Sequence, residues 1–398
     1  MKNLRVFLLI ALMLVAVTPI VSAQDGENVV VVPAGEKIQI GVVTDLTGPI
    51  AEMGLDIQYG AEVVLAELNE AGGIKGFEVE FIVEDDRCSG DEATLVANRL
   101  VADPQVVAVV GPICSGATVA ASELFEEASI VMVSPSATAD EVTGRGLAVV
   151  NRTAPLDSIQ GVVDAHYLMK VLGVEKLAVL HDNDTYGLGL AETVRNEFEA
   201  LGGEIVGFEG INIEDQDYRP VLTPLVAGEP DAIFFGGYKE QAILLVPQKN
   251  DVGLEDVLFM GPDGIFAQPF IDGAGDAAEG VYASFVAPVP NEEFDAAYEE
   301  MHGVLPDELG PFHAQAADAA SMIFAAIEEV SELDDDGNLV IDKDALVAAV
   351  RATAEFEGLS GVLTCSENGD CGATKIGINI VEDGAWVNVE IPEDLLEM

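Results

Sequence analysis

The sequence predicts an α/β protein of two lobes, each a parallel sheet covered on both faces by helices. Short apolar runs alternate with segments whose apolar residues recur at helical spacing. That β–α series then occurs a second time before the chain changes character. Unbroken apolar runs of this kind are strands buried on both faces, which is the burial that parallel sheets with crossover helices require.

The chain opens with a secretory signal over residues 1–23. Lys2 and Arg5 form its basic start, Val6 to Val17 its apolar core, and Val21-Ser22-Ala23 a small-residue cleavage site before Gln24. The competing reading, an uncleaved anchor, is disfavoured by the short apolar core and the lack of a basic stop-transfer run. No cysteine near the cleavage point offers a lipid anchor, so the expected product is exported and soluble, periplasmic or extracellular. After a polar leader to about Glu36, strands are expected at Ile38 to Val43, Val79 to Val83, Val106 to Val110 and Ile130 to Val133. Helices are expected between them at Met53 to Ala71, Ala93 to Ala102 and Ala117 to Ala128.

The second series has strands at Leu177 to Leu180, Ile205 to Phe208, Ala232 to Phe235 and Val257 to Met260. Its helices are Leu188 to Leu201, Val221 to Ala227 and Lys239 to Val246, the last stopped by Pro247. Two more helices, Pro311 to Val330 and Lys343 to Thr353, precede a hairpin of Lys375 to Val381 and Ala385 to Val389. Right-handed crossovers place ligand loops at the carboxyl ends of the strands.

Charge narrows the function. Of 398 residues, 71 are acidic and 17 are Lys or Arg, a formal net charge of −54. Nucleic acid and anionic membrane surfaces are thereby excluded as partners, because phosphate contacts need a basic surface. Such a chain repels itself unless ions screen it. Four cysteines suit an oxidising compartment. They allow three pairings, and the sequential one, Cys88 with Cys114 and Cys365 with Cys371, closes the most compact loops. A loop like the first is worth about 3 kcal/mol in a chain-entropy model. A zinc site lacks CxxC spacing and neighbouring histidines.

Catalytic templates are missing: no GxSxG elbow, HExxH, Walker A or strand-borne GxGxxG occurs. No catalytic residue, metal or cofactor is therefore expected. The acidic run Glu332 to Gly337 fails as a calcium loop, since Lys343 falls where a bidentate Glu is needed, and reads as a solvated loop. The histidines, 166, 181, 302 and 313, read as structural, with only His181 at a strand's carboxyl end.

Binding chemistry gathers at strand ends. Gly111 to Thr118 follows a strand and opens a helix, so Ser115 is expected to cap it and show its hydroxyl beside free backbone N–H groups, an arrangement suited to a carboxylate. Ser134-Pro135-Ser136-Ala137-Thr138 follows the next strand. In the second lobe, His181 to Gly187 and Gly261-Pro262-Asp263-Gly264 take the corresponding places. Hydroxyls on one lobe facing a carboxylate on the other suit a zwitterion held in a cleft.

With these landmarks, the chain resembles the periplasmic leucine/isoleucine/valine-binding proteins, the type I solute-binding components of branched-chain amino-acid ABC transporters. Thr44 to Pro49, Asn69 to Ile74, Asp85 to Cys88, Cys114-Ser115, Ser134-Pro135, Gly236-Gly237-Tyr238 and Met260 to Gly264 carry the resemblance in order. It implies a two-lobe clamshell with three hinge crossovers, near Arg152 to Leu156, Ser284 to Pro288 and Leu359 to Val362. Lobe 1 would then be 24–156 plus 287–360, and lobe 2 would be 157–286 plus 361–398. It implies a Cys88–Cys114 disulfide, and an α-carboxylate bound by Ser115, Ser136 and Thr138. Asp263 would hold the α-ammonium, Tyr186 and Tyr238 would close on the ligand, and Met53 and Phe312 would form apolar walls. The partners it implies are an amino acid and a membrane permease, with the binding protein itself a monomer. Asp263 stands where the best-known branched-chain members carry Glu, and Met53 where an aromatic ring is frequent, which leaves a softer wall. The alternatives are an amide, urea or aromatic-acid ligand on the same scaffold, a ligand sensor, and a secreted enzyme.

Overall fold

A computed structural model of the protein describes residues 28–398 apart from 288–289, 373–374, 393–394 and 396–398; the expected signal segment lies outside the described residues. Strands β1 (Val29–Val32), β2 (Ile38–Thr44), β3 (Val79–Asp85), β4 (Val106–Val110), β5 (Val131–Ser134) and β6 (Val150–Arg152) come first. Of these, β2 to β6 form a wholly parallel sheet in the order β3-β2-β4-β5-β6. Its helices are α1 (Ala51–Glu70), α2 (Gly90–Ala102), α3 (Ser115–Glu127) and the short α4 (Asp140–Gly144). Every residue of β4, Val-Val-Ala-Val-Val, is buried, as a central strand with helices on both faces must be.

The second sheet repeats the plan with β7 (Lys176–His181), β8 (Glu204–Gly210), β9 (Ala232–Gly236), β10 (Leu258–Gly261) and β11 (Tyr282–Val286). These are parallel in the order β8-β7-β9-β10-β11. They are flanked by α5 (Asp157–His166), α6 (Thr185–Ala200), α7 (Arg219–Leu225), α8 (Lys239–Asp251) and α9 (Gln268–Ala274). The chain then returns to the first lobe, where α10 (Glu292–His302) and α11 (His313–Val330) pack on α1. There follow β12 (Glu332–Leu333), β13 (Leu339–Asp342), α12 (Lys343–Arg351), β14 (Phe356–Glu357) and β15 (Val362–Leu363). Finally β16 (Ile376–Glu382) and β17 (Ala385–Val389) form the expected hairpin and add an antiparallel edge to the second sheet beside β11. Disulfides join Cys88 to Cys114 and Cys365 to Cys371, the sequential pairing. Among the described residues, no helix is long and apolar enough to cross a membrane.

Four details differ from the sequence reading. The polar leader contains β1, whose Val30 and Val32 are buried because β13, some three hundred residues on, pairs with it antiparallel. The acidic run is a β12–β13 hairpin, its turn closed by Asp334, which accepts from the N–H groups of Asp336 at 2.9 Å and Asn338 at 2.8 Å. Pro247 does not stop its helix, which continues to Asp251. Proline removes one helical N–H and strains one turn, but burial of Leu245, Val246 and Lys249 around it carries the helix through. Lastly, Leu363 and Cys371 are buried in the first core, and Cys371 N–H donates to Arg152 O at 2.9 Å. Both lie past the crossing expected near Leu359 to Val362 and are still packed with the first lobe.

Candidate ligand-binding site between the lobes

Three loops of the first sheet meet at its carboxyl edge. The disulfide ties the loop after β3 to the start of α3. Ser115, 2% exposed, is the first residue of α3 and does not cap it; Cys114 holds the cap position and no side chain bonds the first turn. The helix begins one residue earlier than a serine cap would allow, and Ser115 Oγ instead accepts from Ala139 N–H at 3.2 Å. The first-turn N–H groups of α3 thus have no side-chain partner, and with the helix dipole they favour an anion. Ser136 Oγ donates to Ile113 O at 2.9 Å, which brings the second hydroxyl loop against the first. Thr138 is buried next, its hydroxyl facing the Asp157 carboxyl.

The loop carrying Ser136 and Thr138 is held from behind by Arg152, which is fully buried. Its Nη1 donates to the carbonyls of Ala137, Thr138 and Ala139 at 3.1, 2.8 and 2.8 Å. Its Nη2 reaches Thr143 Oγ1 at 2.8 Å, and its Nε pairs with Asp370 at 2.7 Å.

The second lobe presents the opposite chemistry. Asp263 opens a single 3-10 turn after β10 and is 4% exposed. Its Oδ1 accepts from Gln160 Nε2 at 2.8 Å and Tyr186 OH at 3.0 Å, and Tyr186 OH in turn accepts from Gly264 N–H at 3.2 Å. The Tyr186 and Tyr238 rings lie 5.2 Å apart. Burial raises the Asp263 carboxyl above its ordinary pKa, and its two donors pull it back.

Sequence reasoning missed Asp157. It starts α5, is 2% exposed, and lies between Thr138 and Asp263, its carboxyl sealed from water and facing the Thr138 hydroxyl. Asp164, on the same helix, accepts from Ser284 Oγ at 3.0 Å with one oxygen and leaves the other orphaned. Burial first, then the charge of Asp263, raises both carboxyls well above the ordinary range. The available signal was periodicity: Asp157, Gln160 and Asp164 fall at i, i+3 and i+7, a polar stripe on a helix whose other contacts are core.

The lobes are closed on one another. A side chain at Gly116 would come within 2.7 Å of Asp184 across the cleft. Lys239 Nζ donates to Pro49 O at 3.0 Å and also pairs with Glu52. Met53, Gly264, Phe266 and Leu309 line what remains there, a cavity of about 10 Å³. Phe312 does not line it; the ring is fully buried in the first core, in the same cluster as Met53 and Ala137, and its backbone N–H donates to Asp56 at 2.9 Å.

The site therefore places uncapped helix N–H groups and hydroxyls on one lobe opposite buried carboxyls on the other. Residues 37–373 match the family described as periplasmic binding protein. The chain belongs to that family. The leucine-, isoleucine-, valine-, threonine- and alanine-binding protein of Pseudomonas aeruginosa is 34% identical over 341 residues, 85% of this chain and 88% of the relative. A leucine binding protein from Thermotoga maritima superposes with a TM-score of 0.79 at 28% identity, covering 90% of this chain and 99% of that one. A branched-chain amino acid transporter substrate binding protein from Streptococcus pneumoniae, in complex with isoleucine, gives 0.77 at 28% identity over 89% of this chain and all (100%) of that one. Family members are substrate-binding proteins of transporters, not enzymes.

The histidines of this binding protein have packing roles. His181 Nδ1 accepts from Asn183 N–H at 3.2 Å, and its ring lies 4.9 Å from Phe208. His166 pairs with Glu197 at 2.8 Å, His302 stacks on Tyr59 at 3.9 Å, and His313 Nδ1 lies 3.1 Å from Asp56.

Buried carboxyls also set how stability responds to pH. Burial pushes Asp86 and Asp182 up to about 7, helped at Asp86 by the like charges of Asp45 and Asp85. Between about pH 4 and 7 the folded protein holds these protons and the unfolded chain has released them, so stability falls as pH rises through that window. His181 and His302, lowered by burial, oppose this near their ordinary value but are outnumbered by raised carboxyls, among them Asp45, Asp56 and Asp318. The thermal midpoint of ligand-free protein is expected to drop from pH 5 to pH 8, and Asp86→Asn to flatten part of the slope. A midpoint that climbs over this range would contradict the assignment.

Proposed function

We propose that this binding protein captures an amino acid, branched-chain or otherwise apolar, between its lobes outside the cytoplasmic membrane and delivers it to the permease of an ABC importer. The observation that carries the reading is the pairing of opposite chemistries across a closed cleft. Ser115, Ser136, Thr138 and the α3 N-terminus receive the α-carboxylate, while Asp263 and Asp157 receive the α-ammonium. Tyr186 and Tyr238 cover the ligand, and Met53 meets its side chain. Water exclusion on closure strengthens these charge contacts, because the effective dielectric drops. What the named relatives bind supports the substrate class. In this reading residues 1–23 are removed on export, and the mature protein works as a monomer. The first lobe comprises 24–156 with 287 to about 371, and the second comprises the remainder.

The test is to unfold the mature protein, remove bound ligand, refold it and titrate leucine, isoleucine, valine and alanine calorimetrically. One-to-one binding to at least one of them is expected. An ammonium beside Asp157 and Asp263 favours their charged forms, so binding releases protons and affinity rises with pH while these raised carboxyls titrate. The heat should accordingly depend on the ionisation enthalpy of the buffer. Silence from folded protein toward all four amino acids would turn the assignment to amides, urea or aromatic acids.

A further inference from the structure

Lys and Arg supply only 17 of the 398 residues, and Lys239 holds a place that elementary electrostatics disfavours for a cation. It is the first residue of α8, directly after Tyr238, and is 7% exposed. The amino end of a helix favours an anion, and burial strips an ammonium of its water. Within its own lobe the neighbouring carboxylate is Glu240, at 3.7 Å and outside hydrogen-bond reach. The acceptors at bonding distance belong to the first lobe. Lys239 Nζ donates to Pro49 O at 3.0 Å, in the loop between β2 and α1, and to the carboxylate of Glu52 in the first turn of α1. Burial would raise the Glu52 carboxyl, but the bond and charge of Lys239 hold it below its ordinary pKa.

The partners are 187 residues apart and meet because the lobes are together. The acidic excess of the chain falls on residues 37–156 and 157–286 alike, so closure brings two negative bodies into contact. Lys239 and Glu52 also line the small cavity beside Met53, which puts their contact at the end of the space for a ligand side chain. We propose that Lys239, bonded to Pro49 O and Glu52, is an interlobe latch that sets how tightly the cleft holds an amino acid without bonding to it. The inference rests on the amino-acid reading of the cleft. When the lobes part, Lys239 and Glu52 return to water and neither lobe's core changes, so the latch biases only the equilibrium between open and closed forms. A contact that favours the closed form tightens a ligand that binds that form by the same factor. It forms after the ligand has landed, so it slows release and leaves capture unchanged.

The experiment measures leucine affinity and release rate for the parent, Lys239→Met, Glu52→Gln and the double variant, in low salt and in about 1 M salt, where the Debye length is about 3 Å. Lys239→Met is expected to weaken leucine about tenfold and Glu52→Gln about threefold, both through faster release. The double variant should bind no more weakly than Lys239→Met by itself, and the losses should shrink in high salt. The first substitution makes its lobe more negative and the second makes its lobe less so. Repulsion between lobes would therefore move affinity in opposite directions, whereas a latch requires both variants to weaken it. The ligand-free thermal midpoint is expected to stay at the parent's value. The proposal is overturned if either variant binds leucine as tightly as the parent, if the two losses add in the double variant, or if the ligand-free midpoint falls along with affinity. A second readout does not need leucine. All four cysteines are in disulfides, so Leu95→Cys on the first lobe and Ile213→Cys on the second, both exposed, supply the only thiols for a pair of spin labels. Should no amino acid bind, the reading of the cleft fails and the labels still decide the latch. The short, closed distance is expected to be more populated in the ligand-free parent than in Lys239→Met, and equal populations overturn the proposal.

Discussion

Asp263→Ala is expected to weaken amino-acid binding by a hundredfold or more, a loss of about 3 to 5 kcal/mol. The carboxylate is 4% exposed, so a ligand ammonium enclosed there has no water to replace it. Asp157 remains nearby but faces Thr138 and lacks the Gln160 and Tyr186 donors that orient Asp263. Asp263→Asn keeps the volume and the acceptor for those two donors and removes only the charge. It should therefore lose affinity almost as severely while the ligand-free thermal midpoint stays close to the parent's. Calorimetric titration with leucine separates the possibilities. If either variant bound leucine like the parent, the ammonium would have to lie elsewhere.

Arg152→Met is expected to cost about 3 to 5 kcal/mol of folding stability and to weaken ligand binding as well. Methionine preserves the aliphatic bulk but strands the carbonyls of Ala137, Thr138 and Ala139 together with the Asp370 carboxylate. The same carbonyls belong to the loop that positions Ser136 and Thr138, so stability and affinity should fall together. Arg152→Lys should not restore either, since a single ammonium cannot reach acceptors spread around a planar guanidinium. Denaturant midpoints at constant slope measure the first effect and leucine titration the second. A midpoint within about 0.5 kcal/mol of the parent would show that the loop stands without its anchor.

What was legible depended on how far apart in sequence the determining partners lie. β4 is a run of five apolar residues and declares itself as a buried strand with no reference to its neighbours. That Ser115, Ser136 and Asp263 lie in loops at strand ends was legible because each loop follows a buried apolar strand and resembles that of a known family. Asp157 was not. A carboxylate one residue past a crossover looks like an ordinary first-turn acidic residue until packing seals both its oxygens from water. Arg152 was read only as the start of a crossover; its hold on Asp370 joins residues 218 positions apart. Pro247 shows the opposite error, a strong local signal overruled by buried neighbours.

The sequence by itself determined the β–α alternation, the duplication of the lobe, the acidic surface that bars polyanions and the hydroxyl and acidic strand ends. Each of these is a property of short windows or of composition, and short-range periodicity carries it. Only the tertiary structure decided that β1 pairs with β13, that Cys371 packs with the first lobe, and that Asp157 faces Thr138 and Asp263. Those outcomes turn on desolvation and hydrogen-bond pairing between distant segments. The free energy of a polar group depends on what is packed against it, and residue order alone does not state that.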